Sequence, residues 1–349
     1  MKELLFKANE MNVTIRFSPI TIEAYNEWVN RQGKHRWILT ILGRRITAKQ
    51  IAAVSKIVAE QDLNIDAIQR LTGRVPLHEG AEAMNKSCIE FSVRGTPKDK
   101  TIMQKQLMEL ASTLDFDVSL QEDTIYRRSR RLICFDMDST LIETEVIDEL
   151  AIRAGVGDEV KAITESAMRG EIDFKESFTR RVALLKGLDA TVMRDIAESL
   201  PMSEGIERLM TVLKRTGYKI AILSGGFTYF GNYLKQKFGI DYVYANELEI
   251  ENGKLTGRYV GEIVDGKRKA ELLRLLAQVE NVDIAQTIAV GDGANDLPML
   301  STAGLGIAYH AKPKVKEGAK QSISTIGIDG VLYFMGFKDS FITENNNCF

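Results

Sequence analysis

The hydrophobic pattern between residues 36 and 125 changes repeatedly from that of a strand to that of a helix. Apolar or alternating runs occur at RWILTILGRR (36–45), NIDAIQRL (64–71), KSCIEFSVRG (86–95) and DFDVSLQED (115–123). Between them, TAKQIAAVSKIVAEQDL (47–63) and TIMQKQLMELASTL (101–114) show apolar residues at helical spacing. The order βαββαβ predicts a small α+β module at residues 36–125, with one antiparallel sheet and its helices on one face.

The residues before this module loosely repeat its second half. LLFKANEMNVTIRFSPITI (4–22) resembles LMELASTLDFDVSLQEDTI (107–125), and both patterns predict a helix, a turn and a strand followed by Thr-Ile. We therefore expect residues 1–35 to be part of a preceding copy of the module. Its open sheet edge would pair with a neighbour or with a second chain. The alternative, two unrelated helix–strand units, stays open.

From residue 132 onward, continuous apolar strands alternate with helices. The strands are LICFD (132–136), YKIAILSGG (218–226) and the start of QTIAVGDGANDLPML (286–300), and residues 143–205 carry helical periodicity. This order predicts an α/β domain at residues 132–335 whose parallel sheet is covered on both faces. We expect RRSRR (127–131) to be a solvated linker and residues 336–349 to be a tail, of which TENNNCF (343–349) has the pattern of a disordered segment.

Composition and charge narrow the functional classes. The chain has 349 residues, 44% of them hydrophobic and 27% charged, and a net charge of −2, which argues against a general nucleic-acid binder. The three cysteines and three histidines lack the spacing of a disulfide framework or a zinc site. No run is long enough for a membrane span, and the N-terminus lacks the pattern of a signal peptide. We expect a cytoplasmic protein with no nucleic-acid or membrane partner.

Polar residues gather where the predicted parallel strands end, which is where such sheets carry their sites. They are Asp136, Asp138, Ser224, Gly225, Asp292, Asn295 and Asp296, and Lys269 lies on the helix before the last of these strands. Mg²⁺ prefers oxygen ligands such as these carboxylates. Asp136, the backbone carbonyl of Asp138 and Asp292 could hold the ion, and Asn295 or Asp296 could hold one of its waters.

The same residues suggest phosphoryl transfer. Ser224 and the amides after it could donate to phosphate oxygens, and Lys269 adds a positive charge. Since no Ser–His or Cys–His arrangement is visible, Asp136 is the natural nucleophile, and Asp138 is placed to act as general acid and base.

These residues carry a family resemblance. DMDST (136–140), LSGG (223–226), Lys269 and GDGAND (291–296) resemble, in order, the four motifs of the haloacid dehalogenase superfamily, and FDMDSTLIETEVIDELA (135–151) resembles its phosphoserine phosphatases. The resemblance implies a Rossmann-like core with a small helical cap at about residues 143–205. It also implies Mg²⁺-dependent hydrolysis of O-phospho-L-serine, the last step of L-serine synthesis, through a phosphorylated aspartate.

The resemblance assigns roles to individual residues. The nucleophile would be Asp136 and the acid/base Asp138; Mg²⁺ would be held by Asp136, the Asp138 carbonyl and Asp292; and phosphate would be bound by Ser224, Gly225 and Lys269, with Asn295 close by. In the cap, Glu145 would receive the substrate ammonium and Arg181 its carboxylate, between apolar walls formed by Met168 and Phe174. Such a cap would exclude water during the reaction.

The N-terminal module resembles an ACT domain, a small amino-acid-sensing fold. This resemblance implies an amino-acid effector and a homodimer. Two other functions stay open. One is a related phosphatase or a phosphotransferase that passes the phosphoryl group to an alcohol such as homoserine. The other is an amino-acid sensor whose catalytic domain serves mainly regulation.

Overall fold

The structure, a computed structural model, describes residues 2–11, 14–15, 19–31, 35–73, 85–319 and 321–343. The N-terminal part contains, in chain order, α1 (Lys2–Glu10), α2 (Ile22–Arg31), β1 (Arg36–Gly43), α3 (Ala48–Glu60), β2 (Asn64–Arg70), β3 (Ser87–Arg94), α4 (Lys100–Leu114) and β4 (Asp117–Glu122). The helix predicted near the start of the chain is present as α1. The strand predicted after it falls mainly on residues outside the described part, as do residues 344–349 of the predicted tail. Residues 336–343 of that tail are described and include a short helix at Asp339–Thr343.

The N-terminal module is the predicted α+β unit. Its sheet has the order β2-β3-β1-β4, and all of its strand pairs are antiparallel. β1 is buried from Trp37 to Gly43 because α3 and α4 cover one face of the sheet and α15 (Gly330–Phe334) reaches the other. Gln50 ties two elements together, since its side chain accepts from the Thr47 backbone at 2.6 Å and donates to the Leu114 carbonyl at 2.9 Å.

The second part begins after α5 (Ile125–Arg128) and forms the predicted α/β domain. Its elements are β5 (Leu132–Phe135), α6 (Val146–Ala154), α7 (Gly157–Met168), α8 (Phe174–Leu184), α9 (Val192–Ser199), α10 (Ile206–Arg215), β6 (Lys219–Phe227), α11 (Thr228–Phe238), β7 (Tyr242–Glu251), β8 (Lys254–Val260), α12 (Gly266–Val279), β9 (Thr287–Gly291), α13 (Leu297–Thr302), β10 (Leu305–Tyr309), α14 (Pro313–Gly318), β11 (Gln321–Ile323), α15 and α16 (Asp339–Thr343). Short 3-10 turns lie at Ile284–Gln286 and Ala294–Asp296.

The domain's sheet has the order β11-β10-β9-β5-β6-β7-β8. Its strand pairs are parallel except for the β7–β8 hairpin, whose strands run antiparallel. Two buried apolar clusters cover its two faces, as the continuous apolar strands predicted. The central position of β5, between β9 and β6, brings the ends of these three strands together.

The helices between β5 and β6 lie over those strand ends. α6, α7 and α8 contact one another, and α8 also contacts β8. Residues 201–203 return the chain to the sheet, where Met202 pairs with Ile142. Among the described helices, none combines the length and apolar character that crossing a bilayer requires.

The two parts share a buried polar seam. Gln321 exchanges two hydrogen bonds of 3.2 Å with the backbone of Leu120, so β11 and β4 meet edge to edge. The Asp117 carboxylate accepts from the backbone of Ser324 and from both the backbone and the hydroxyl of Thr325 at 2.6–2.9 Å. The module therefore packs against the domain through satisfied polar groups as well as apolar ones.

The prediction that residues 127–131 form a solvated linker is wrong for Arg127 and Arg130, whereas Arg128 and Arg131 are exposed. Arg127 is buried and forms an ion pair of 2.9 Å with Glu90. Arg130 is also buried and donates to Gln121 at 2.8 Å. Both side chains are buried because Glu90 and Gln121, on strands of the module's sheet, accept hydrogen bonds from them. A basic run in the sequence does not reveal such tertiary contacts.

Candidate active site

The site is built at the carboxyl ends of β5, β6 and β9. Asp136 follows β5 directly, Ser224 lies near the end of β6 and Asp292 follows β9. The backbone amide of Asp136 donates to Val290 at 2.9 Å, which ties the first of these strand ends to its neighbour. Parallel pairing thus converts three distant sequence motifs into one cluster.

Asp136 is held by a buried lysine. Lys269, in the first turn of α12, has no exposed surface, and its ammonium lies 2.9 Å from Asp136 Oδ1 and 2.6 Å from Asp296 Oδ1. Burial opposes the charge of Lys269, but Asp136 and Asp296 outweigh it and raise its pKa. The backbone amide of Met137 also donates to Asp136 Oδ1, at 2.7 Å. Both contacts fall on the same oxygen, so neither donor uses the other carboxylate oxygen of Asp136.

Asp138 has a different environment from Asp136, two residues away. It is buried, and burial first, then Glu145 and Asp136, raise its pKa well above the usual range. Its carboxylate lies over Gly226, where an added Cβ would sit 2.5 Å from Oδ2, so only glycine fits beneath it. Asp138 is therefore suited to hold a proton at neutral pH.

The end of β6 offers hydrogen-bond donors. The Ser224 hydroxyl accepts from the Gly226 amide at 2.9 Å and keeps its own proton to donate. Asn246 fixes this loop, because its side chain donates to the Gly225 carbonyl at 2.7 Å and accepts from the Val264 amide at 2.8 Å. The N-terminus of α11 follows, so backbone amides and a helix dipole favour an anion here.

Three carboxylates form a compact oxygen cluster. One ligand atom from each of Asp136, Asp292 and Asp296 lies within 4.8 Å of the others. Asp296 uses both of its oxygens elsewhere, one for Lys269 and one for the Gly293 amide at 2.9 Å. Burial first, and then Asp136 and Asp296, raise the pKa of Asp292 to about 8. A buried, crowded carboxylate set of this kind fits a divalent cation with a preference for oxygen.

Glu145 and Arg181 face the strand-end cluster from the cap. Glu145 precedes α6, and its carboxylate accepts from the Ser139 hydroxyl at 2.8 Å. The residue is exposed as a whole, but protein atoms surround its carboxylate, and this loss of hydration raises its pKa. Burial lowers the pKa of Arg181, which Glu145 and Asp148 partly offset. The Nε atom of Arg181 donates to the Ser177 carbonyl at 3.4 Å, and within the described residues its guanidinium forms no ion pair within 4.0 Å.

The two predicted apolar walls differ in position. Phe174, at the start of α8, lies against the loop after β6: a Cβ added to Gly225 would be 3.0 Å from its Cζ atom. Met168, at the end of α7, is 64% exposed, and its sulfur lies 3.9 Å from the Lys312 ammonium. The structure thus brings Phe174 to the loop after β6 and leaves Met168 at the outer rim. Asn295 lies beside Gly293 in the 3-10 turn before α13.

Three supporting residues received no role from the sequence. Thr140 donates to Asp292 at 3.1 Å, Ser139 donates to Glu145, and Asn246 fixes Gly225. Ser139 and Thr140 directly follow Asp136 and Asp138 in the sequence, and this position was the available sign that they support the site. Asn246, on β7, had none, because its partners lie about 20 residues away in sequence.

Comparisons with known proteins match both parts of the chain. A family model described as haloacid dehalogenase-like hydrolase matches residues 133–301, and one described as ACT domain matches residues 35–121. A phosphoserine phosphatase of Streptomyces coelicolor is 42% identical over 87% of this chain and 72% of its own length. One from Archaeoglobus fulgidus is 49% identical over 70% of this chain and 71% of its own length.

A solved structure shares the arrangement of both parts. A probable phosphoserine phosphatase from Vibrio cholerae aligns with a TM-score of 0.68 and 34% identity. The alignment covers 89% of this chain and 93% of that one.

Proposed function

The chain belongs to the phosphoserine phosphatases of the haloacid dehalogenase-like hydrolases, and from this we propose that it hydrolyses O-phospho-L-serine to L-serine and phosphate through a phosphorylated Asp136, with Mg²⁺ as cofactor. One observation carries the proposal. Lys269 binds and charge-stabilises Asp136, whereas Asp138 is buried with a raised pKa. A carboxylate paired with a buried ammonium, beside a second one that is suited to hold a proton, gives the nucleophile and the acid that phosphate-ester cleavage needs.

In the first step Asp136 attacks phosphorus. The carboxylate oxygen that does not contact Lys269 forms the new O–P bond, and the bond from phosphorus to the serine oxygen breaks. Asp138 gives its proton to that leaving oxygen, so the product leaves as L-serine. Ser224, the amide of Gly225 and the Lys269 ammonium would bind the phosphoryl oxygens and keep the group in line.

In the second step the acyl phosphate is hydrolysed. Asp138, now ionised, removes a proton from water, and the resulting oxygen attacks phosphorus. The bond to Asp136 breaks, phosphate leaves, and both aspartates return to their first protonation states. The cap would limit the access of other water molecules while the acyl phosphate exists.

Asp136 and Asp292, with the Asp138 carbonyl, are the groups that we propose hold Mg²⁺. When bound, the ion would neutralise charge between the nucleophile and the phosphate. Asp296 would act mainly by fixing Lys269, since both of its oxygens are occupied.

We propose that the cap selects the amino acid. O-phosphoserine carries one ammonium and one carboxylate, and the site offers the Glu145 carboxylate and the Arg181 guanidinium on neighbouring helices. Phe174 would pack beside the substrate above Gly225. Met168 would need to turn inward to act as the second wall, because its side chain lies at the outer rim.

We further propose that the reaction supplies L-serine as the last step of its synthesis, and that the N-terminal module binds an amino-acid effector. The match of residues 35–121 to the ACT domain supports the second point. A homodimer remains our proposal for the assembly.

Phosphate release from a panel of phosphorylated metabolites tests the activity. The panel contains O-phospho-L-serine, phosphoglycolate and phosphohomoserine, each with Mg²⁺ and with EDTA, and free homoserine is added as a competing acceptor. We expect phosphoserine to be preferred by at least about tenfold, in a metal-dependent reaction that yields free phosphate. Equal rates on all substrates, or transfer of most phosphate to homoserine, would overturn the proposal.

A further inference from the structure

A charged cluster crosses the seam between the two parts of the chain. On the module side, Lys86 lies 2.5 Å from Asp329, and Arg44 makes a two-pronged contact with Glu204. On the domain side, Arg208 also binds Asp329, at 2.7 Å. Asp329 is fully buried, so these cations are needed to balance its charge. We call these residues the seam cluster.

Glu204 belongs to a short bridging segment, residues 201–205, that runs from the seam cluster to the active site. Its carbonyl accepts from Ile328 at 2.8 Å. The next residue, Gly205, has a φ of +83°, and an added Cβ would lie 2.3 Å from Asp329 Oδ1. The seam cluster therefore fixes this end of the segment in three ways: through the Glu204 side chain, through its backbone carbonyl and through the close packing of Gly205.

The other end of the bridging segment holds the loop that follows the aspartate pair. The backbone amide of Glu143 donates to the Pro201 carbonyl at 2.9 Å, and the backbone amide of Ser203 donates to the Leu141 carbonyl at 3.1 Å. The buried Ser203 hydroxyl donates to the Thr140 carbonyl at 2.7 Å. Hydrogen bonds to residues 201–203 thus hold residues 140–143 in place.

The path ends on a proposed metal ligand. The Thr140 hydroxyl donates to Asp292 Oδ1 at 3.1 Å. From Arg44 to Asp292 every step is then a hydrogen bond or a shared peptide: Arg44 to Glu204, Glu204 to its neighbour Ser203, Ser203 to Thr140, and Thr140 to Asp292. Hydrogen bonds to a metal ligand orient it and tune the affinity for the ion.

We propose that Arg44, in the N-terminal module, is a positioning residue for the active site and acts through Glu204, Ser203 and Thr140 on Asp292. The inference rests on the proposed function, since it assigns Asp292 to cation binding. It makes the module part of the catalytic structure, so that a change at the seam reaches the carboxylate cluster through residues 201–205.

Full-length Arg44→Gln, Glu204→Gln and Ser203→Ala variants test this path. Two quantities are measured: the Mg²⁺ concentration that gives half of the maximal rise in melting temperature without substrate, and kcat and KM for phosphoserine at saturating Mg²⁺. We expect the Mg²⁺ midpoint to rise by about three- to tenfold and kcat to fall by a similar factor, whereas KM changes by less than about twofold. The Arg44→Gln/Glu204→Gln double variant should be no worse than either single one, since both break the same contact. Arg44→Lys keeps the charge but loses the two-pronged contact and should be intermediate.

Lys338→Gln is the matched control. Lys338 donates across the same seam to Gln69 at 2.8 Å but does not contact the bridging segment. It should lower the melting temperature and leave the Mg²⁺ midpoint and kcat at wild-type values. If the three test variants behave like this control, the seam is only structural and the inference is wrong.

The outcomes also separate this inference from the proposed function. If Glu204→Gln fails to fold, Ser203→Ala decides, because it keeps every charge of the seam cluster. A wild-type protein that binds Mg²⁺ but does not hydrolyse phosphoserine would overturn the proposed function. Weaker Mg²⁺ stabilisation of the variants would then still support the path from Arg44.

Discussion

At the residue scale, the aspartates of the site have the same side chain but lie in different environments. Asp136 faces the Lys269 ammonium at 2.9 Å, whereas Asp138 is buried against Gly226 and near Glu145. Asp292 differs from both, with a raised pKa and a hydrogen bond from the Thr140 hydroxyl. Environment, rather than residue type, therefore distinguishes the nucleophile, the acid and the metal ligand that we propose.

Replacing Glu145 by Gln tests the proposed recognition of the ammonium group. The change removes the charge at nearly constant size, so kcat/KM for phosphoserine should fall by about 10- to 100-fold. Phosphoglycolate, which has no ammonium, should change by less than about threefold. Glu149→Gln, on the same helix, is the control, because Glu149 accepts from Thr144 instead. If Glu145→Gln leaves the ratio of kcat/KM for phosphoserine to that for phosphoglycolate unchanged, Glu145 does not bind the substrate ammonium.

The pKa of Asp292 predicts a pH dependence of metal binding. Because a carboxylate must lose its proton to bind a cation, the apparent dissociation constant for Mg²⁺ should fall as pH rises toward about 8 and then level off. The slope should not exceed about tenfold per pH unit for one proton. Calorimetric titration of Mg²⁺ at several pH values measures this, and an affinity independent of pH would contradict it.

The same group should affect stability without metal. In the unfolded chain Asp292 ionises near 3.8, whereas in the folded protein it keeps its proton to about 8. The folded state binds more protons between these values, so this group's contribution to stability declines as pH rises through that window. Mg²⁺ should restore the lost stability at the alkaline end.

At the element scale, the residues of the candidate site lie at the ends of the strands rather than within them. β5, β6 and β9 are continuous apolar segments that the hydrophobic pattern predicted, and their ends carry the predicted motifs. The sequence did not predict the supports of these ends, such as Asn246 on β7 and the bridging segment. Their partners lie far away in the chain, and a polar residue in a strand gives no sign of which loop it will hold.

Asn246→Ala tests one such support. It leaves the Gly225 carbonyl and the Val264 amide without their partner in a buried place, which should cost about 2–4 kcal/mol of unfolding free energy. The loop around Gly225, at the end of β6, should also become less rigid, and this should raise KM for phosphoserine. Urea unfolding and steady-state kinetics measure the two effects. Asn232→Ala, on the exposed side of α11, is the control. Wild-type KM in a destabilised Asn246→Ala protein would show that Asn246 serves packing alone.

At the scale of the whole molecule, the hydrophobic pattern predicted both folds but not how they join. The predicted α+β module and α/β domain are confirmed, whereas the basic run at 127–131, predicted to be a solvated linker, has two of its four arginines buried. Apolar periodicity reports which face of an element is buried. It does not report that Arg127 will meet Glu90 or that Gln321 will meet Leu120, because those pairings arise only once both sheets exist.

The seam predicts that the two parts unfold together. Residues Leu42, Leu71 and Cys88 of the module belong to the same apolar core as the domain, and Asp117 holds residues 324–325. Scanning calorimetry should therefore show one cooperative transition that coincides with the loss of activity. Asp117→Ala removes the shared acceptor and should lower the transition temperature of the whole chain. Two separate transitions in the wild-type protein would contradict this coupling.

The most direct test of the central claim is to trap the phosphorylated enzyme. Wild-type protein and phosphoserine are mixed with Mg²⁺, quenched in acid within one turnover and treated with borohydride, which reduces an aspartyl phosphate to homoserine. Peptide mass spectrometry should then find homoserine at position 136 and no other aspartate converted. Asp136→Asn, which should lose at least about 10⁴-fold in kcat, is the blank, and Asp195→Asn, an exposed aspartate on α9, is the active control. Conversion at another residue, or rapid turnover with no conversion at 136, would contradict the assignment of Asp136 as the nucleophile.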